Sequence, residues 1–140
     1  MSSYIPVRLR RQVVKRDQGL CTYCRSAEQL MGITFEVDYI IPEAAGGATT
    51  LENLCLTCPT CNRRKADRMS IIDPDTGAVT ALFHPLQDAW HEHFSWLEGG
   101  ATIAGKTAVG RAMIETLQMN RTALVQLRRY WIALGLHPPL

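Results

Sequence analysis

Apolar and polar positions along the chain outline its elements before any chemistry is considered. Behind Pro6, the stretch "VRLRRQVVKRD" carries Leu9 and Val13 four residues apart. It predicts a helix with proline in its first turn and Gly19 as its stop. "CTYC" follows as a tight knuckle. "ITFEVDYII" is rich in β-branched and aromatic residues and predicts a strand ended by Pro42. "EAAGGATT" is a loop punctuated by Gly46 and Gly47. "LENLCLT" leads into a second knuckle, "CPTC", and "NRRKADRM" has the composition of a short helix that fades before the turn "DPDTG".

From about Ile71 the pattern changes. "GAVTALF" predicts a strand, and "HFSWLEGGATIAG" a hairpin around Gly99 and Gly100. "TAVGRAMIETLQ" predicts a helix capped by Thr107. "RTALVQLRRYWIALG" predicts a second helix, capped by Asn120, stopped by Gly135 and sealed by Pro138 and Pro139. Ala123, Leu124, Leu127, Tyr130, Trp131 and Leu134 fall near one helical face, which is expected to dock on a core. The order of elements predicts an α+β chain in two parts, residues 1–70 around the cysteines and residues 71–140 as an α/β extension. The extension is expected to be a β-hairpin plus two helices, of unknown role.

Composition narrows the class. A chain of 140 residues can hold one compact domain, or a small one with an extension. Its 46% hydrophobic and 20% charged content is that of a soluble globular protein. No stretch approaches the roughly 20 apolar residues of a membrane span, so no membrane partner is expected. The opening "MSSYIPVRLRRQ" has no apolar run before its arginines, which argues against a secretory signal. The expected compartment is the cytoplasm, where thiols stay reduced and bind metal.

Net charge is only +2, so its distribution matters more than its sum. Arg8, Arg10, Arg11, Lys15 and Arg16 crowd one stretch, and Arg63, Arg64, Lys65 and Arg68 another. The two runs bracket the cysteines, an arrangement that favours a phosphate-binding surface over two merely solvated faces.

Five cysteines are present: Cys21, Cys24, Cys55, Cys58 and Cys61. Cys21 and Cys24 form one C-x-x-C pair, and Cys58 and Cys61 another. Two such knuckles can bring four thiolates to the corners of a tetrahedron, the arrangement of a structural Zn²⁺ site. In so small a unit metal binding would supply much of the folding free energy. Cys55 is left over and reads as a small buried hydrophobe.

Two C-x-x-C knuckles enclosing "VDYIIPEAAGG", "TT" and "LENL", with "CNRRKADR" directly after, resemble the HNH endonucleases. The resemblance spans about Val7 to Met69. It implies a zinc-stapled ββα-metal (HNH) core. By that resemblance Asp38 would be a carboxylate ligand of a catalytic divalent cation and Asn62 would supply a second oxygen from the helix start. Such oxygen donors suit Mg²⁺ or Mn²⁺. Asn53 would brace the loop through backbone hydrogen bonds and so orient residue 39. Arg63, Arg64 and Lys65, joined by Arg10 and Arg11, would hold DNA, double-stranded or branched, by its phosphates. The activity implied is divalent-metal-dependent hydrolysis of DNA phosphodiester bonds.

At the general-base position the chain carries Tyr39 where the family has histidine. Imidazole suits that role because it titrates near neutrality, whereas an ordinary phenol has a pKa near 10. Three readings stay open: an introduced change that stops cleavage, a natural binding-only relative, or an active enzyme. In the last, Tyr39, a metal-bound hydroxide or another imidazole does the base's work. His84, His91, His93 and His137 are the imidazoles at hand, and all read more simply as exposed or hydrogen-bonded residues of the extension. The alternative to a nuclease is a non-catalytic zinc module that binds nucleic acid. Trp90, Trp96 and Trp131 could stack on bases, but core or docking surface is the better reading. The extension would widen the DNA footprint or mediate homodimerisation, and the residues leave both open.

Overall fold

A computed structural model describes residues 4–139, which divide into two compact units. Residues 4–69 with 84–86 make the first, and residues 70–83 with 87–139 the second. No helix among the described residues is long and apolar enough to cross a membrane.

The first unit opens with helix α1 (Val7–Arg16), which begins at Pro6 and buries Val13. Lys15 and Arg16 fill its last turn, where the helix dipole favours cations. Arg16 also turns inward. Its guanidinium donates to the carbonyls of Leu51 at 2.6 Å and Leu54 at 2.5 Å. Asp17 receives the Leu56 N–H at 2.8 Å, so the end of α1 is stitched to a segment almost forty residues away. After the first knuckle comes a one-turn helix, α2 (Glu28–Met31), and then the antiparallel pair β1 (Glu36–Tyr39) and β2 (Leu54–Thr57). Glu36 stands opposite Thr57 and Tyr39 opposite Leu54. Helix α3 (Pro59–Lys65) follows at once, with Cys58 as its N-cap and proline in its first turn. Strand, strand and helix form a ββα unit over a core of Val13, Tyr23, Phe35, Leu54 and Leu56.

Two elements are shorter than the sequence predicts. Only Glu36–Tyr39 of "ITFEVDYII" pairs, because β2 has just four residues between the loop and the Cys58 cap. The helix over "NRRKADRM" starts at the knuckle as expected, at Pro59, but ends early at Lys65, where Ala66 takes a φ of +48°. A residue outside helical φ/ψ cannot continue the hydrogen-bond ladder.

The second unit begins with the short hairpin β3 (Ile71–Ile72) and β4 (Val79–Thr80), turned by "DPDTG". The strand expected over "GAVTALF" pairs at two residues only, since β3 offers no further partner. Asp73 in the turn is buried and takes two hydrogen bonds from the Arg111 guanidinium, at 3.0 and 2.8 Å. Those bonds hold its carboxyl well below the usual carboxylate range. Then follow α4 (Trp90–His93), the hairpin β5 (Phe94–Leu97) with β6 (Thr102–Gly105), α5 (Ala108–Leu117) and α6 (Thr122–Ala133). Thr107 caps α5 as its sequence position predicts, its Oγ1 accepting from the Gly110 N–H at 3.1 Å.

Asn120 does not cap α6. Arg121 holds the N-cap position without a side-chain bond, while the Asn120 amide accepts from the Ile103 N–H and donates to the Ile103 carbonyl, both at 2.8 Å. A side-chain amide can satisfy both backbone groups of one strand residue, and here that pairing displaces the cap. The docking face of α6 is also narrower than predicted. Leu124, Arg128 and Trp131 are buried, whereas Tyr130 is 59% and Leu134 71% exposed.

Candidate metal and nuclease site

The two knuckles converge because each is fastened to β2. In the first, the Cys21 N–H donates to the Ser26 carbonyl and the Arg25 N–H to the Cys21 carbonyl, both at 2.9 Å. The Thr22 N–H then reaches the Leu56 carbonyl at 2.9 Å. In the second, Cys58 ends β2 and caps α3, and Cys61 lies one helical turn on. The ligand atoms of Cys21, Cys24, Cys58 and Cys61 all lie within 4.8 Å of one another, and all four residues are buried. Cys24 Sγ and Cys58 Sγ are 3.9 Å apart. Tetrahedral Zn²⁺ with 2.3 Å bonds to sulfur needs sulfurs about 3.8 Å apart, so the quartet fits zinc. Ser26 Oγ, 3.2 Å from Cys24 Sγ, and the Cys61 N–H, 3.4 Å from Cys58 Sγ, are placed to donate to thiolates. Such donors steady a metal-bound sulfur.

Crowding splits the four thiols. Burial pushes Cys21 up, and the bond from Cys21 pulls Cys24 down. Contacts with Cys21 likewise raise Cys61 and lower Cys58. Cys55 stands outside the quartet. It is fully buried, its sulfur lies 3.9 Å from the Tyr23 hydroxyl, and burial pushes its thiol up to about 12.

Beside the sulfurs, one face of β1 meets one face of α3. Side chains alternate along a strand, so Glu36 and Asp38 share a face and Tyr39 takes the other. Asn62 and Lys65, three apart on α3, are neighbours on the helix surface. Two side chains of α3 join these faces. Lys65 Nζ lies 2.9 Å from Asp38 Oδ2 and also donates to the Tyr39 carbonyl at 2.9 Å. Asn62 Nδ2 donates to Glu36 Oε2. Burial pushes the Asp38 carboxyl up, and the Lys65 ammonium pulls against it. Asp38 on β1 and Asn62 on the facing α3 offer a carboxylate and an amide oxygen, hard donors that fit a divalent cation such as Mg²⁺ or Mn²⁺.

Lys65 departs from its expected place. Its place beside Arg63 and Arg64 predicts a phosphate contact, yet its side chain is 1% exposed and its ammonium is engaged by Asp38. Four-residue spacing from Cys61 puts it on the buried side of α3, while Arg63 and Arg64 are exposed. In the N-terminal run Arg11 is exposed, and Arg10, half-buried, donates to the Phe35 carbonyl at 2.6 Å.

The loop between the strands is held by Asn53. Its Oδ1 accepts from the Ile41 N–H at 2.8 Å, and its Nδ2 donates to the carbonyls of Ile41 and Ala48, both at 3.0 Å. Gly47 lets the loop close. A Cβ there would lie 1.7 Å from the Ile41 carbonyl oxygen and 2.8 Å from Asn53 Nδ2. The same loop places the Thr49 hydroxyl 2.9 Å from the Tyr39 hydroxyl.

The histidines have partners of their own. In the second unit His93 Nδ1 lies 2.7 Å from Thr107 Oγ1, and the His137 ring sits edge-on to Trp96. Trp90 and Trp131 are buried there. His84 Nδ1, in the first unit, accepts from the Leu86 N–H at 3.2 Å.

Glu36 and Thr49 are the site residues that sequence reading missed. Glu36 had a signal, since it stands two residues before Asp38 on a predicted strand. Thr49 had none, because loop closure alone brings it to Tyr39.

Residues 21–68 match the family model described as HNH endonuclease, a span that runs from the first zinc-knuckle cysteine to just past α3. No curated protein matches the chain.

Proposed function

We propose, from the match of residues 21–68 to the HNH endonuclease family model, that the chain hydrolyses DNA phosphodiester bonds with the help of a divalent cation. The observation that carries the reading is the meeting of the Glu36–Asp38 face of β1 with the Asn62–Lys65 face of α3, beside the four sulfurs. Cys21, Cys24, Cys58 and Cys61 hold a structural Zn²⁺ that fixes where α3 starts. Asp38 and Asn62 hold Mg²⁺ or Mn²⁺, which when bound neutralises charge on the phosphate and on the leaving oxygen.

The chain's other residues bind and orient. Arg63 and Arg64, on the exposed side of α3, take the phosphates flanking the scissile bond, joined by Arg11 and by the free N–H groups of Arg10. Asn53 keeps the loop closed over residues 41–48. The Tyr39 phenol, steadied by Thr49, stands next to Asp38 at the chain position of the general base. It is a weaker base than imidazole at neutral pH, so turnover is low.

The test is nicking of supercoiled DNA with Mg²⁺ and with Mn²⁺ by the wild-type chain, Tyr39→His and Asp38→Ala. Tyr39→His is expected to cut faster and Asp38→Ala not at all. If Tyr39→His gains nothing with either metal, position 39 is not the base position. A binding-only module has one observation in its favour, the pairing of Asp38 with a buried ammonium. It predicts no cleavage by any variant and a DNA affinity that Asp38→Ala leaves unchanged.

A further inference from the structure

Glu36 opens β1, two residues before Asp38 and on the same face, and its carboxylate accepts a hydrogen bond from Asn62 Nδ2. We propose that Glu36 is a positioning residue that orients the Asn62 amide, so that Oδ1 rather than the NH₂ group is presented to the divalent cation. The inference rests on the cation site proposed above and names what makes one of its ligands usable.

The argument starts from the amide. Its oxygen and its NH₂ group are nearly equal in size, and half a turn about the last side-chain torsion exchanges them. A cation accepts only the oxygen. An ionised carboxylate accepts hydrogen bonds and donates none. Placed on one side of the amide, it therefore holds the NH₂ group there and leaves Oδ1 on the other. Without Glu36 both orientations are open, and part of the population offers the cation a pair of N–H groups.

Lys65 acts on the other ligand in the mirror sense. Its ammonium takes Asp38 Oδ2, which leaves Oδ1 of Asp38 for the cation. Each ligand is thus held from the opposite element: β1 supplies Glu36 to hold the ligand on α3, and α3 supplies Lys65 to hold the ligand on β1. The charges agree with this arrangement. Glu36, Asp38 and Lys65 sum to one negative charge before a divalent cation arrives and one positive charge after it, which suits a singly charged phosphodiester. Ligand-orienting partners of this kind commonly change metal affinity about 10–100-fold when removed.

The experiment measures Mn²⁺ binding to the zinc-loaded full chain by electron paramagnetic resonance, with zinc content as the control for folding. Wild type is expected to bind one Mn²⁺, and Asp38→Ala to lose it. Glu36→Ala is expected to weaken binding about tenfold or more. Glu36→Gln should fall between wild type and Glu36→Ala, since its carbonyl can accept the Asn62 N–H but its own NH₂ can equally donate to Asn62 Oδ1. Wild-type affinity in Glu36→Ala, with Asp38→Ala defective, overturns the positioning role and leaves the cation site standing. A loss from Glu36→Ala that persists in the Asn62→Asp background, where both terminal atoms are oxygens and need no orienting, makes Glu36 act through its charge, as a ligand, and also overturns the role. A wild-type chain that binds no Mn²⁺, or an Asp38→Ala chain that still does, overturns the cation site and this inference with it.

Discussion

Replacing Lys65 with methionine removes one ammonium and little else. The apolar stem is kept, so packing around α3 should survive. Two interactions vanish: the bond to the Tyr39 carbonyl and the ion pair with Asp38, each at 2.9 Å. The first is worth about 1 kcal/mol. The second is larger, because breaking a buried pair from one side strands the other charge, at about 3–5 kcal/mol. Asp38 keeps 13% of its side chain exposed, and burial already pushes its carboxyl up, so in the variant it can escape by taking a proton. That places the total near the low end, at about 3 kcal/mol. For a unit of this size such a loss lowers the midpoint by on the order of 10–20 °C.

The sign of the pH dependence follows. Unfolded Asp titrates near 3.9, and the folded carboxyl in the variant titrates higher. The folded state then binds more protons than the unfolded one between those two values, so stability falls as pH rises through that interval. Lowering the pH from 7 to 5 should narrow the gap to wild type. All three tryptophans lie in the second unit, so zinc release into a coloured indicator reports the first unit and tryptophan fluorescence serves as an internal control. Adding Asp38→Asn to Lys65→Met removes the stranded charge and should restore at least about 1 kcal/mol. A Lys65→Met chain as stable as wild type at pH 7, or a double variant weaker than the single, would refute the reasoning.

Two further outcomes are expected. Cys55→Ala should retain one zinc per chain and Cys58→Ser should lose it; in the native protein at pH 8, iodoacetamide should leave Cys55 unlabelled, because its buried thiol sits at about 12. Mass spectrometry of labelled peptides and metal analysis read both, and loss of zinc from Cys55→Ala would overturn the assignment of the quartet. Gly47→Ala should cost about 2 kcal/mol or more, because its Cβ collides with the Ile41 carbonyl and disturbs the Asn53 bonds. Gly46→Ala, with φ of +90° but open space around it, should cost only about 1 kcal/mol. Equal zinc-release midpoints for the two variants would rule out the close approach.

What the sequence determined by itself was whatever depends on neighbours along the chain. The paired C-x-x-C spacings announced a sulfur quartet, Thr107 announced a helix start, and the order of motifs from the knuckles to "CNRRKADR" announced a ββα core. Each of these follows from local geometry that a few consecutive residues dictate. Tertiary structure decided where long-range partners compete. Lys65 turned from a surface cation into the counter-ion of Asp38, Asn120 left its cap for the backbone of Ile103, and α6 buried Arg128 while exposing Tyr130 and Leu134. Glu36 and Asn62 stand 26 residues apart and meet only because zinc-sized spacing of the sulfurs and the β1–β2 register bring α3 against β1. A side chain with two sites to choose from takes the one that desolvation and hydrogen bonding favour, and that choice exists only once the segments are in contact.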